Sequence, residues 1–239
     1  MQQVERLVTM KPDLKGEEAL KKLDMHAPPN WEEIISLNEL ARLLEAGDQT
    51  GLHVVIGDIR GSTHLMREAI SSREYALITT SFTERMRKIA RENSGWFDKF
   101  TGDGFIVYWL YGSKPTRFLR EVMNFCRRAH EAFEGEIFPA HRKNARNLPA
   151  HVGLALGVDS GRCALEEIAG DFTIIGHAVV GAKRMAEAAW KGETLCNIRM
   201  GHVLGAERTL KAFIALQEAI AKTKEYPEHG QEAYRISFR

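Results

Sequence analysis

The stretch WFDKFTGDGFIVYW, residues 96–109, decides the fold. Two apolar runs flank a tight Thr101-Gly102-Asp103-Gly104, the pattern of a β-hairpin whose glycines supply the turn backbone. An acidic side chain therefore stands on a hairpin tip. Upstream, LHVVIGD (52–58) is a short β-rich run with Asp58 at its end, and residues 63–93 read as one long helical stretch closing at Ser94-Gly95. Downstream, residues 115–136 read as a second helix and HVGLALGVDSG (151–161) as a strand with Gly153, Gly157 and Gly161 spaced by four. AVVGAKRMAEAAW (178–190) is a third helix, and EAYRISF (232–238) is strand-like. One hairpin set between long helices predicts α+β: an antiparallel-rich sheet with helices packed on it.

Residues 1–50 differ in character. They read as two charged amphipathic helices broken at Ala27-Pro28-Pro29, with Asn30 capping the second and Leu37, Leu40, Leu43 and Leu44 on one face. The division is thus a helical extension, 1–50, before a main domain, 51–239. The leucine face docks on that domain or contacts a partner.

Composition narrows the function. Of 239 residues, 33 are basic and 32 acidic, a net charge of +1 that provides no field for general nucleic-acid or membrane-surface binding. Cys126, Cys163 and Cys196 are odd in number and lack CxxC spacing, which argues against a disulfide framework or a thiolate zinc site. The N-terminus has no signal-peptide core, and no run approaches the roughly 18 apolar residues of a membrane span. A cytoplasmic protein is expected.

If the strands carrying Asp58 and Asp103 are neighbours, both carboxylates meet at one sheet edge. Mg²⁺ takes oxygen ligands from one or two carboxylates and completes its shell with substrate phosphates. Two such ions can clamp the attacking and leaving oxygens of an in-line displacement at phosphorus. Gly61-Ser62-Thr63 follows Asp58 and opens a helix, where backbone N–H groups can cradle phosphate oxygens while Ser62 or Thr63 caps. Taken alone, TGDG is equally a plain turn.

At these residues the chain resembles the class III nucleotidyl cyclase catalytic domain. VVIGDIRGSTHLM, WFDKFTGDGFIVYW, HVGLALGVDSG and FTIIGHAVVGAKRMAEAA occur in that family's order and spacing across about residues 52–236. The resemblance implies a ferredoxin-like α+β core, a head-to-tail homodimer with active sites at the interface, and two Mg²⁺ or Mn²⁺ ions per site. It makes Asp58 and Asp103 the metal-binding aspartates, with the Ile59 carbonyl beside them. Lys99 matches the base-contacting lysine of adenylate-type members, Thr173 its partner at the base, and Arg184 the arginine that stabilises charge on the transferring phosphate. Lys222 or Lys224 is the candidate for the triphosphate-contacting lysine. The chain departs from the pattern at Val180, where the family has a ribose-orienting asparagine, and at His177, where an acidic or amide residue is common.

Guanylate-type members carry glutamate at the Lys99 position, so GTP is disfavoured. Lysine is a pure donor and threonine donates or accepts, which leaves ATP, UTP and CTP open. The DIRGST run, the absent asparagine and the lack of sensor or membrane domains resemble the stand-alone pyrimidine cyclases of Pycsar antiphage defence. That resemblance implies cyclic UMP or cyclic CMP made for a separate effector, with UTP favoured; adenylate cyclase and a non-catalytic nucleotide-binding homologue are the alternatives. No GxGxxG follows a strand and no GxxxxGK[ST] occurs.

Overall fold

The computed structural model of the chain describes residues 26–36, 39–40, 43, 49–148, 150–168 and 171–239. The helix expected before Ala27, and Leu37 and Leu44 of the expected stripe, lie outside the described residues. Eight strands form one sheet: β1 Gln49–Arg60, β2 Trp96–Phe100, β3 Gly104–Leu110, β4 Gly153–Ile168, β5 Asp171–Gly176, β6 Thr194–Asn197, β7 Ile214–Ala221 and β8 Gln231–Phe238. Their order is β2-β3-β1-β4-β6-β8-β7, with β5 hung on β4. β4 and β6 run parallel, and the other pairs are antiparallel.

β1 is central because it is apolar on both faces, which suits only a strand covered on both sides. Leu52, Val54 and Ile56 point into one core, Val55 and Ile59 into the other. The second core is covered by α3 Ser72–Glu92, α4 Leu119–Ala132 and α7 Ile198–Ala206. On α3, Ile78, Phe82, Met86 and Ile89 are buried at helical spacing. The first core is covered by α6 His177–Ala188 and by the N-terminal segment, with its short α1 Trp31–Ile34. Ala27, Ile34, Ile35, Leu40 and Leu43 pack there against Val54, Trp96 and Tyr108, so the described part of the extension docks on the sheet.

Several local expectations are corrected. The single helix expected across 63–93 is two, α2 Ser62–Glu68 and α3, parted at Ala69–Ser71. Ser71 accepts from the Glu74 amide at 3.2 Å, a cap whose Ser-x-x-Glu signal is visible in the sequence. Asn144, at the end of α5 Phe138–Asn144, holds the break open by accepting from the Ser71 amide and donating to its carbonyl, both at 3.1 Å. The helix expected to end near Glu136 instead passes through a π turn, Phe133–Ile137, into α5. Asn30 does not cap α1 with its side chain; its amide donates to Ser94 Oγ at 3.2 Å. The main-domain strand β1 begins at Gln49, ahead of the expected boundary, and Asp58 lies two residues before its end.

α6 lies close on β4 because the crossing point has no side chain. A Cβ on Gly157 would stand inside van der Waals contact of the Ala182 carbonyl and the Ala186 amide. Gly157→Ala is expected to lower the unfolding free energy by about 1–3 kcal/mol, read from urea denaturation; an unchanged midpoint would refute the close-packing account.

His53 supplies a pH dependence. It is fully buried on β1 and donates from Nε2 to the Arg117 carbonyl at 3.0 Å, while Nδ1 has no partner. Burial pushes its pKa down from 6.5 to about 4, against the opposing hydrogen bonds to the Arg117 and Pro115 carbonyls. The unfolded chain therefore binds this proton first. The stability it contributes is complete above pH 6.5 and is lost as pH falls toward 4. His53→Gln, which keeps a donor for Arg117, is expected to remove about 1.4 kcal/mol per pH unit from the slope of stability between those limits.

Candidate active site

The β1–β3 register brings Asp58 opposite Gly104, so the carboxylate of β1 stands beside the hairpin tip. The approach is tight. Gly102 takes a φ of 96° in the turn, Ile59 N–H donates to the Asp103 carbonyl at 2.9 Å, and a Cβ on Gly104 would strike the Gly57 carbonyl. Ser62 at the start of α2 donates from Oγ to Asp103 Oδ2 at 2.6 Å. The expected cap by Ser62 or Thr63 is not found: the cap position of α2 is Gly61, at φ 74°, with no side-chain cap. The Ser62 hydroxyl holds the carboxylate instead, and the amides of the first turn have no intrahelical carbonyl to meet.

Arg60 Nη1 lies 3.4 Å from Asp58 Oδ2, and its other amino group donates to the Ala186 carbonyl of α6. Burial raises the Asp58 pKa; Arg60 opposes this and the Asp103 charge adds to it. Lys183 and Glu187 of α6 act on it with opposite signs. The two carboxylates are thus held together against both desolvation and each other, the condition a divalent cation relieves. Among the described residues no group of three or more His, Cys, Asp or Glu forms a metal cluster. A cation here would take two carboxylates and a carbonyl, leaving positions for substrate oxygens, a donor set that suits Mg²⁺ or Mn²⁺.

A second cluster lies where β5 folds back against β2. Lys99 Nζ donates to Thr173 Oγ1 at 2.6 Å, and Thr173 Oγ1 donates to Asp98 Oδ2 at 3.2 Å. Asp98 and Thr173 are buried, whereas about half of the Lys99 side chain is exposed. Asp98 was not singled out from the sequence. Its signal is a carboxylate inside the apolar run WFDKF, next to Lys99. His26 of the N-terminal segment donates from Nδ1 to the carbonyl of Phe97 at 2.7 Å, bracing this turn of β2.

Arg184 lies on α6, where Nη2 meets Glu225 Oε1 at 3.0 Å and Nε has no partner. Glu225 sits in the loop between β7 and β8, with the exposed lysines Lys222 and Lys224 close to it in the chain. Glu225, like Arg60, has no signal in the sequence; the contact joins residues 41 apart. Val180, also on α6, is exposed, and His177 opens that helix. Among the described residues no hydrogen bond or ion pair joins the Asp58–Asp103 edge to the Lys99–Thr173 cluster.

No protein-family model matches the sequence, and no curated protein does. Solved structures do. The adenylyl cyclase CyaB from P. aeruginosa superposes with a TM-score of 0.67 at 21% identity, over 80% of this chain and 95% of that one. The guanylate cyclase domain of RhGC from Catenaria anguillulae, solved with GTP, gives 0.63 at 14%, over 80% and 97%. A rhodopsin-guanylyl cyclase core with converted specificity, solved with ATPalphaS, gives 0.63 at 14%, with the same coverage. The fold is that of the class III nucleotidyl cyclase catalytic domain. Among the described residues, no helix is long and apolar enough to cross a membrane.

Because burial and the Asp103 charge disfavour the ionised form of Asp58, neutralising it should stabilise the metal-free protein. Asp58→Asn is expected to raise the melting temperature in chelator and to abolish the rise that Mn²⁺ produces. An ion bound at this edge would, at about 100 times its dissociation constant, add about 2.7 kcal/mol to the wild-type chain. A variant still stabilised by Mn²⁺ would refute the assignment of that edge.

Proposed function

We propose that this chain is a nucleotidyl cyclase working as a homodimer, converting a nucleoside triphosphate to its 3′,5′-cyclic monophosphate and pyrophosphate. The observation that carries the reading is that one chain holds both the Asp58–Asp103 edge and the Lys99–Thr173 cluster, with no hydrogen bond or ion pair joining them among the described residues. The carboxylate edge suits divalent cations and the donor–acceptor pair suits a base, and a two-fold axis would bring the edge of one protomer to the pair of the other across an interface. Ile168 and Ile175 on the β4–β5 arm, with Val180, expose apolar surface available for that contact.

Asp58, Asp103 and the Ile59 carbonyl would hold the two ions, Mg²⁺ or Mn²⁺. When bound, such ions lower the pKa of the 3′-hydroxyl and neutralise the leaving pyrophosphate. Ser62 keeps Asp103 aimed at them through its 2.6 Å bond. The free amides at Gly61, Ser62 and Thr63 meet phosphate oxygens. Lys99 and Thr173 of the partner protomer hold the base, and its Arg184 leaves Glu225 to face charge developing on the α-phosphate as the 3′-oxygen attacks in line. Lys222 or Lys224, next to Glu225 in the chain, would reach the triphosphate tail.

The base we favour is uracil, with cytosine next, so the product is a cyclic pyrimidine nucleotide made as a second messenger for antiphage defence and read by a separate effector in the cytoplasm. ATP is the alternative, since adenine also offers an acceptor to lysine. Exposed Val180, which cannot hydrogen-bond a ribose, favours a second reading: a homologue that binds the triphosphate without turning it over.

Equal amounts of ATP, CTP, GTP and UTP with Mn²⁺, analysed by mass spectrometry, should give predominantly cyclic UMP; no product with any metal would leave the binding reading. Asp58→Ala or Asp103→Ala should abolish product, and Arg184→Ala should lower kcat by about 10²–10³. Mixing Asp58→Ala with Arg184→Ala should restore about a quarter of wild-type activity, because half of the dimers are mixed and each has one intact site. Absence of complementation would overturn the shared site.

A further inference from the structure

Consecutive residues of a regular strand point to opposite faces, so Asp98 and Lys99 should be separated by the sheet. They are not. The pairing of β2 with β3 slips between Phe97 and Lys99, which leaves Asp98 as the extra residue of a β-bulge. A bulge re-aims a side chain. Here it brings Asp98 Oδ2 to 3.5 Å from Lys99 Nζ, with both groups on the same threonine hydroxyl.

The direction of these bonds follows from the groups themselves. An ammonium has three donors and no acceptor, and a carboxylate only accepts. The single Thr173 proton therefore has one destination, Asp98. One hydroxyl lone pair takes Lys99, and the other is left for a ligand. The arrangement is costly: Asp98 is 3% exposed and its Oδ1 has no partner. Burial raises its pKa, while the adjacent Lys99 charge and the Thr173 hydroxyl oppose that rise. His26 and Tyr108 also face it. An apolar residue would pack here without that desolvation, so what the carboxylate contributes is its action on its neighbours.

We propose that Asp98 is a specificity-determining positioning residue: by holding the Thr173 proton it presents the base with one donor, Lys99, beside one acceptor, Thr173. Such fixed polarity divides the four bases. Uracil and guanine carry an exocyclic acceptor next to a ring N–H, whereas cytosine and adenine carry an exocyclic donor next to a bare ring nitrogen. With the sugar and phosphates anchored, Lys99 and Thr173 each reach one of those two positions, so one pair of bases is matched and the other meets like against like. For the uracil favoured above, Lys99 donates to O4 and Thr173 accepts from N3–H. Without Asp98 the hydroxyl turns freely and either pair is tolerated at that position. The inference rests on the reading above only in taking Lys99 and Thr173 as the base contacts.

The test is equilibrium binding of the four α,β-methylene triphosphates with Mn²⁺, which cannot lose pyrophosphate, to wild type, Asp98→Ala, Asp98→Asn and Thr173→Val. Wild type should prefer the UTP analogue to the CTP analogue, the two bases of one size that differ in this polarity, and the ratio of those two affinities is the readout. Asp98→Ala should cut that ratio about tenfold or more, the range expected when one buried hydrogen bond is mismatched. Asp98→Asn, whose carbonyl still accepts from Thr173, should stay within about threefold of wild type. Thr173→Val should lose the ratio as Asp98→Ala does, and the double variant should lose no more. A ratio unmoved by Asp98→Ala, an equal weakening of all four analogues, additive losses, or a wild type without preference would overturn the proposal. Product formation by wild type is scored separately: binding selectivity that depends on Asp98 without any cyclic product would sink the cyclase reading and leave this one standing, and the converse result would do the reverse.

Discussion

Two like charges drawn together at the edge of a sheet are the constraint on which the rest of this molecule depends. Asp58 and Asp103 come from different strands, and only the tight β1–β3 register brings them together. That register needs glycine at 104, a left-handed turn at Gly102 and the backbone bond from Ile59 to Asp103. It also needs β1 in the middle of the sheet, covered on both faces, so that the repulsion is opposed by two hydrophobic cores rather than one. Local instability of this kind is sustained by the stability of its surroundings and is common where a ligand is to be held.

The electrostatic partners are arranged with the same economy. Arg60 bridges Asp58 to the backbone of α6, so the helix that presents Arg184 is tied to the carboxylate edge of its own chain. At the other end of that helix's reach, Glu225 occupies Arg184. Both faces of the pairing are partly exposed, and exposed ion pairs contribute little to stability. The pairing therefore costs little to exchange for a phosphate.

How much of this was legible in the sequence depends on range. The hairpin could be read because turn chemistry is local, and the α+β class because helix and strand periods alternate along the chain. Asp58 and Asp103 could be paired because each ends an apolar run at a glycine-rich turn. The break between α2 and α3 was written in Ser71-x-x-Glu74 but was overridden by the apolar period running through it, and the second half of the break, Asn144, is 73 residues away. β5, β6 and β7 were not read at all: β5 and β6 are only six and four residues long, and β7, IALQEAIA, is built largely of residues that favour a helix. Asp98 was passed over because the alternation of WFDKF assumes a regular strand, and a bulge breaks that assumption without a marker of its own.

The arm that carries Thr173 has a further consequence. Among the described residues β5 pairs with β4 alone, so its backbone ladder is one-sided, whereas β1 is paired along both edges. Segments held on one side open at lower free energy than doubly paired core strands. Amide protons of Thr173, Ile174 and Ile175 should then exchange with solvent well before those of Val54, Val55 and Ile56. On that pairing the two halves of the candidate site would belong to separate units of cooperativity, and the arm that carries Thr173 would open while the carboxylate edge stays folded.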